Sequence, residues 1–464
     1  MKNKITSLLL LLVVSTTFIA CFEDRDDEIN PASTLEIQDF VWRGLNIFYL
    51  YKDQIPALDE NNYATTAELE NFLDNYATPE DLFDALIYSE DRFSFIVSDY
   101  RVLEDALAGI SKSNGMKFGL VQLQSTGEIF GYVRYVLPNT SAENEGVSRG
   151  MIFNRVDGTT LTLENYNSLL AADTYSIGLA EFSNGELTEL DQTITLTKNE
   201  YTENPVYITN TIELEDKTVG YLMYNAFNNN FDDVLNNAIS EFQADNITDL
   251  VIDLRYNGGG SIETSNDLAS MVTGQFNGQL FTTQVYNENF ENQERYFNNE
   301  ISTGASINNL NLNKVYVLTT GSTASASELL ISSLLPYIEV VQIGTTTTGK
   351  FQGSVTLYDS PDFSRAGANI NHRYAMQPLI LKSVNANGFT DYTDGLTPDI
   401  IIEEDYANLG ELGNPNEPLL AAALNEVSFG RMAPTQKSTL QFKEIAESEM
   451  NQPNFQRMYI ETFE

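Results

Sequence analysis

Residues 250–260 read Leu-Val-Ile-Asp-Leu-Arg-Tyr-Asn-Gly-Gly-Gly. The run Leu250–Leu254 is short and apolar, the pattern of a strand buried on both faces. The glycines after it permit a tight turn, and a helical pattern over 262–273 follows. Working outward, the same alternation recurs. Val219–Tyr224 reads as a strand, and Phe231, Val234, Leu235, Ala238, Ile239 and Phe242 then repeat at helical spacing. Lys314–Leu318 is a strand followed by a helix over about 325–335, and Ile338–Ile343 is a further strand. Strand–helix alternation predicts a mostly parallel sheet with crossover helices over 204–430. A strand over 368–382 and a closing helix over 415–428 complete that unit.

The rest of the chain has a different grammar. Leu35, Ile37, Phe40, Val41, Leu45, Phe48 and Tyr49 recur at helical spacing after Thr34, a candidate cap, and two more helical patterns lie near 65–76 and 79–88. Residues 34–110 are therefore expected to be a small helical domain. Residues 112–200 hold short β runs at 117–123, 130–136, 151–156 and 192–197, with turn signals at Pro138-Asn139 and Asp157-Gly158. Residues 431–464 are polar and weakly patterned, and are expected to be a tail. The fold class is thus α+β multidomain: helical domain, β module, α/β core.

Composition narrows the function. Against 25 Lys and Arg stand 66 Asp and Glu, a net charge of −41, which disfavours nucleic acid and anionic lipid as partners. A single Cys excludes a disulfide framework and a Cys-rich zinc site, and a single His, His372, excludes poly-His metal sites. A Ser-His-Asp hydrolase would depend on that single residue, so another base is expected if the chain is a hydrolase. His372 itself reads as an ordinary sheet residue. Lys2 and Lys4 precede a largely apolar run over 5–20 that is short for a membrane span, so residues 1–20 read as a signal peptide and 21–33 as an acidic tether.

In an open α/β sheet, sites form at the carboxyl ends of the strands. Three segments fall there: Gly258-Gly259-Gly260, Gly321 to Glu328 and Gly344 to Lys350. A glycine loop lets backbone N–H groups approach an oxyanion, a serine at a helix start sits beside free N–H groups, and a buried lysine can act as base. Each has a structural alternative: a turn, a Ser325–Glu328 capping box and a surface lysine. Pattern alone does not choose among Ser322, Ser325 and Ser327.

At these residues the chain resembles the S41 peptidases, the C-terminal processing or tail-specific proteases. Their nucleophile lies in a Ser-Ala-Ser-Glu segment, here Ser325-Ala326-Ser327-Glu328, and their lysine base in a Gly-Lys segment, here Gly349-Lys350. Asp253 to Gly260 resembles the family's glycine-loop segment. The resemblance implies Ser325 as nucleophile, Lys350 as base, Gly259 and Ala326 as oxyanion donors, and Glu328 in support. Where many members carry Gln four residues after the lysine, this chain has Ser354. Gln352, two residues after Lys350, would share its face on a strand and is one alternative; Ser354 itself, or a Ser-Lys dyad with no third member, are the others. Val136 to Glu143, Gly146, Gly150 and Val156-Asp157-Gly158 resemble a PDZ domain, with a candidate peptide-carboxylate loop at Phe118, Gly119 and Leu120. Asp91-Arg92-Phe93-Ser94 and Gly395-Leu396-Thr397-Pro398-Asp399 resemble further family signatures. The implied core fold is ClpP/crotonase-like.

Phe18-Ile19-Ala20-Cys21 resembles a bacterial lipoprotein box, with Phe where Leu is usual, and the acidic stretch after it resembles the tether of Bacteroidetes lipoproteins. Together they imply lipidation at Cys21 and a membrane-anchored lipoprotein of the cell envelope, on the outer membrane and periplasmic or surface-exposed. The expected function is a serine endopeptidase acting on exported polypeptides, without metal or organic cofactor. The alternatives are a catalytically inactive, membrane-tethered peptide-binding protein and a carbohydrate-binding surface lipoprotein.

Overall fold

The computed structural model describes residues 31–430 and 441–463. The expected signal peptide, Cys21 and most of the acidic tether lie outside the described residues.

Ser33, one residue before the expected Thr34, caps helix α1 (Thr34–Phe48). Its hydroxyl accepts from the Glu36 N–H at 3.3 Å, and the Glu36 carboxylate accepts from the Ser33 N–H at 2.7 Å. The helix buries Ile37, Phe40, Val41, Leu45 and Phe48. Helices α2 (Thr66–Leu73) and α3 (Pro79–Ala85), strand β1 (Phe95–Val97) and helix α4 (Tyr100–Leu107) follow. Asp91 pins the turn before β1 by accepting from the Tyr49 hydroxyl at 2.8 Å and the N–H groups of Phe93 and Ser94 at 2.8 and 3.0 Å. Strand β1 then pairs with a strand at Ala375–Gln377, which sews the helical region onto the rest.

A two-stranded ribbon, β2 (Ile110–Ser113) with β9 (Asn199–Thr202), closes the neck of the β module. Within it β3 (Met116–Leu123), β4 (Ile129–Val136), β5 (Ile152–Val156), β7 (Thr174–Ser183) and β8 (Glu186–Thr197) lie side by side, all antiparallel. The two-residue β6 (Thr159–Thr160) pairs with β5, and helices α5 (Ser141–Asn144) and α6 (Tyr166–Ala171) are short. Phe118, Gly119 and Leu120 lie inside β3 and are buried, so they form a strand and not the expected loop. The turn into β3 comes earlier, at Asn114-Gly115, where Gly115 takes φ of 89°.

The core sheet runs β10 (Val206–Glu213), β11 (Thr218–Tyr224), β12 (Asp249–Asp253), β16 (Lys314–Thr319), β17 (Glu339–Gly344) and β22 (Ile400–Ile401). Only β10–β11 is antiparallel; the other four pairings are parallel. Helix α7 (Asp232–Ala244) connects β11 to β12. A second sheet contains β13 (Gly260–Ser261), β14 (Leu280–Tyr286), β15 (Gln293–Tyr296), β18 (Gln352–Ser354) and β21 (Leu379–Asn385), while β19 (Leu357–Tyr358) and β20 (Ala375–Gln377) join β1. The expected strand over 368–382 is therefore two, β20 and β21, broken at Pro378, which has no N–H to give a ladder. Helices α8 (Ile262–Thr273) and α9 (Ala326–Leu334) are buried between the two sheets, and α10 (Pro418–Phe429) covers the far face of the parallel one.

The expected polar tail is instead structural. Strand β23 (Phe442–Glu447) adds antiparallel to the free edge of β3, and β24 (Met458–Tyr459) inserts in parallel between β13 and β18. Met458, Tyr459 and Ile460 are buried. Burial of that apolar triplet outweighs the polarity around it.

Candidate active site

Register brings the predicted segments together. Asp253 pairs with Leu318, and Leu318 with Ile343, so β12, β16 and β17 end at one level. The glycine loop, the serine turn and the lysine turn leave the sheet at that shared edge.

The glycine loop is pinned from below. Arg255 is fully buried and its guanidinium meets both Glu417 oxygens at 2.7 and 3.0 Å and Asp253 at 2.9 Å. The Asn257 amide donates to Tyr224 O at 2.8 Å, and Asn257 O accepts from Ala324 N–H at 3.1 Å. Gly259 takes φ of 107°, and a Cβ there would lie 2.6 Å from Ser325 Cβ and 2.9 Å from Ala326 N. Only glycine lets the loop come this close to the serine turn.

The three serines are distinguished by their partners. Ser322 Oγ accepts from Arg134 at 2.9 Å, and Ser327 Oγ donates to Asn257 O at 3.1 Å. Ser325 Oγ is buried with no hydrogen-bond partner among the described residues. Ser325 also has φ of 68° and ψ of −116° at the start of α9. Such a conformation costs a non-glycine residue on the order of 1–3 kcal/mol, and persists where the surroundings enforce it. Of the capping box read from the sequence, the acidic half forms: Glu328 accepts from the Ser325 N–H at 2.7 Å.

Glu328 does more than cap. It also accepts from Gly349 N–H at 2.7 Å, Lys350 N–H at 2.9 Å and Thr347 Oγ1 at 2.5 Å. One carboxylate thus clamps the serine turn to the lysine turn. Burial raises its pKa, and these four donors oppose that rise.

Lys350 is fully buried. Its ammonium lies 4.8 Å from the Phe93 ring centroid and donates to Gln456 O at 2.8 Å. Burial, and then the nearby charge of Arg457, hold its pKa well below the usual lysine value. Arg457 is half-buried; it donates to Phe93 O at 2.5 Å and to Pro453 O at 2.8 Å, and desolvation lowers its pKa to about 10.

The expectations for Gln352 as orienting residue and His372 as sheet residue are corrected. Gln352 does not orient the lysine: its amide donates to Tyr51 OH at 2.8 Å. Ser354 faces Met458 O at 3.1 Å and Gln377 at 3.3 Å. The same-face argument fails because Lys350 precedes β18 and follows a turn at Gly349, φ 87°. The Gly259 N–H, expected to face an oxyanion, donates to Asn257 Oδ1 at 2.8 Å, while the next amide, Gly260, donates to Arg457 O at 2.5 Å. His372 lies in the turn before β20 and bonds Asp359 at 2.9 Å. Phe93, Gln456 and Arg457 were not singled out for this site. Phe93 sits in a quoted signature; for the other two the only signal is the apolar triplet beside them.

Family models match the chain over the segments that carry this site and over the helical region before it. The model for peptidase family S41 matches residues 218–402, and that for the peptidase S41 N-terminal domain matches 36–95. The chain belongs to peptidase family S41. An S41 peptidase is a hydrolase of peptide bonds, and polypeptides are its substrates. A carboxyl-terminal-processing protease of Synechocystis sp. strain PCC 6803 is 24% identical over 361 residues, covering 71% of this chain and 77% of its own. One from Picosynechococcus sp. strain PCC 7002 is 26% identical over 242 residues, 51% and 52% of the two chains. A crystal structure of a candidate S41 protease from Bacteroides fragilis NCTC 9343 superposes with a TM-score of 0.67 at 27% identity, covering 84% of this chain and 97% of that one. No described helix is long and apolar enough to cross a membrane, and no cluster of metal-ligating side chains occurs among the described residues.

Proposed function

We propose that this S41 peptidase is a serine endopeptidase with Ser325 as nucleophile and Lys350 as base. The observation that carries the reading is the pairing of a buried, strained and unpartnered Ser325 hydroxyl with a buried lysine of depressed pKa, both clamped by Glu328. Neutral Lys350 takes the Ser325 proton as Oγ attacks the scissile carbonyl. The N–H groups of Ala326 and Gly259 hold the oxyanion, Gly259 exchanging its Asn257 partner for it; a lost donor of this kind costs about 3–4 kcal/mol in other hydrolases. Lys350 then protonates the leaving amine, and water hydrolyses the acyl-enzyme. Phe93 supplies an aromatic wall for the amine, whose hydrogen-bond partner is the Gln456 carbonyl.

The β module acts as a PDZ-like domain that adds an extended peptide along β3. The Cys21 lipid and the acidic tether place the enzyme at the cell envelope, where exported polypeptides are its substrates. Ser325→Ala is expected to abolish cleavage of an unfolded protein while leaving the melting temperature intact. Equal cleavage by parent and variant would remove the assignment.

A further inference from the structure

Residues 441–457 follow, in order, the two places where the proposed function puts a substrate. First, β23 lies antiparallel on the edge of β3, with Glu444, Ala446 and Glu447 opposite Val121, Leu120 and Gly119. The pairing continues as the Ser448 N–H donates to Phe118 O at 3.0 Å. Two buried cations hold carboxylates of this strand and of the turn after it: Arg134 meets Glu444 and Glu447, and Lys117, which also pairs with Glu203, meets Glu449. The chain then turns into the cleft at the sheet edge, which Glu447, Phe455 and Gln456 line together with Tyr256, Gly259 and Ser322. There Gln456 O takes the Lys350 ammonium and Arg457 O takes the Gly260 N–H.

This occupant is arranged as a block, not as a substrate. Gln456 has φ of 48°, so the backbone leaves the extended conformation at the lysine. The turn directs its carbonyl to the amine, and the amine makes that bond while Ser325 Oγ has none. Arg457 brings a cation into the cleft with backbone carbonyls as hydrogen-bond partners. Partly desolvating a charge without a carboxylate partner is costly, which leaves the segment displaceable. Beyond it, β24 is built into the core and fixes the downstream end.

We propose that residues 441–457 are a built-in competitor that keeps the enzyme latent. The substrates that displace them are extended polypeptide segments carrying carboxylates spaced to take Arg134 and Lys117. This rests on the serine-peptidase reading for its catalytic consequence, but the occupancy itself does not.

The test uses the purified chain, the variant Glu447→Lys/Glu449→Lys, the independent variant Gln456→Pro and a fluorescent peptide of residues 441–457. Proline cannot adopt the φ of Gln456. Both variants are expected to cleave an unfolded protein about tenfold faster or more, as when the competent state of the parent is the minor one. They are also expected to bind the peptide more tightly than the parent does. In the unmodified chain, excess peptide should speed hydrogen exchange within 441–457. Folded variants with parental rates and parental peptide affinity overturn the proposal, as does unchanged exchange in the parent. Ser325-dependent cleavage at one rate in all forms keeps the peptidase and removes latency. Peptide binding by the variants with no cleavage by any form keeps the occupant and removes the peptidase.

Discussion

Lys350 shows how far a residue's chemistry depends on what surrounds it. In the unfolded chain it is an ordinary ammonium; in the fold, burial and Arg457 favour the neutral amine. The unfolded state therefore binds an extra proton between the two pKa values. Stability rises with pH through that window, and the destabilisation is complete below the folded pKa. Lys350→Met is expected to abolish hydrolysis, raise the melting temperature at pH 7 by a few degrees and flatten this pH dependence; thermal melts from pH 6 to 10 check it. In the parent, the rate should fall as pH drops through the folded pKa. The lysine and serine were legible from their motifs at the ends of apolar strands. Their partners were not, because the Phe93 ring and the Gln456 carbonyl arrive from distant segments, and strand parity misassigned Gln352 by assuming that β18 already includes Lys350.

At the scale of elements, the turns before α9 and β18 are joined through one carboxylate. Glu328→Gln replaces an acceptor of four bonds with a group that also presents donors to N–H groups. A loss of about 2–3 kcal/mol in stability is expected from urea unfolding, along with a fall in kcat larger than any change in KM. The elements themselves were largely readable where burial is two-sided. The helix read over 262–273 is found as Ile262–Thr273, and the strand read over 219–224 as Thr218–Tyr224. β23 was not readable, since an exposed, charged edge strand looks like a tail until its partner β3 is known. β7 was missed too, although Tyr175, Ile177 and Leu179 alternate inward.

Across the whole molecule, the site edge rests on a buried charge cluster. Arg255 links the glycine loop to Asp253 on β12 and to Glu417, whose carboxylate caps α10 at Leu420 N–H, 2.9 Å away. Glu417→Ala takes from the arginine its two-oxygen partner, leaving Asp253 and the more distant Glu404, and is expected to cost about 3 kcal/mol, read as a lower urea midpoint for the core. A Glu417→Ala chain that unfolds with the parent would show that Asp253 and Glu404 suffice for Arg255.

The walls around the Lys350 amine carry one more consequence. Phe93 comes from before the parallel sheet and Arg457 from after it, and they touch across a sequence separation of 364. A chain still leaving the ribosome has the first wall without the second. Its lysine stays wet and charged. The dry surroundings that depress this lysine are thus completed late: they form only after both flanks of the core have been made and brought together, and a nascent or truncated copy lacks them.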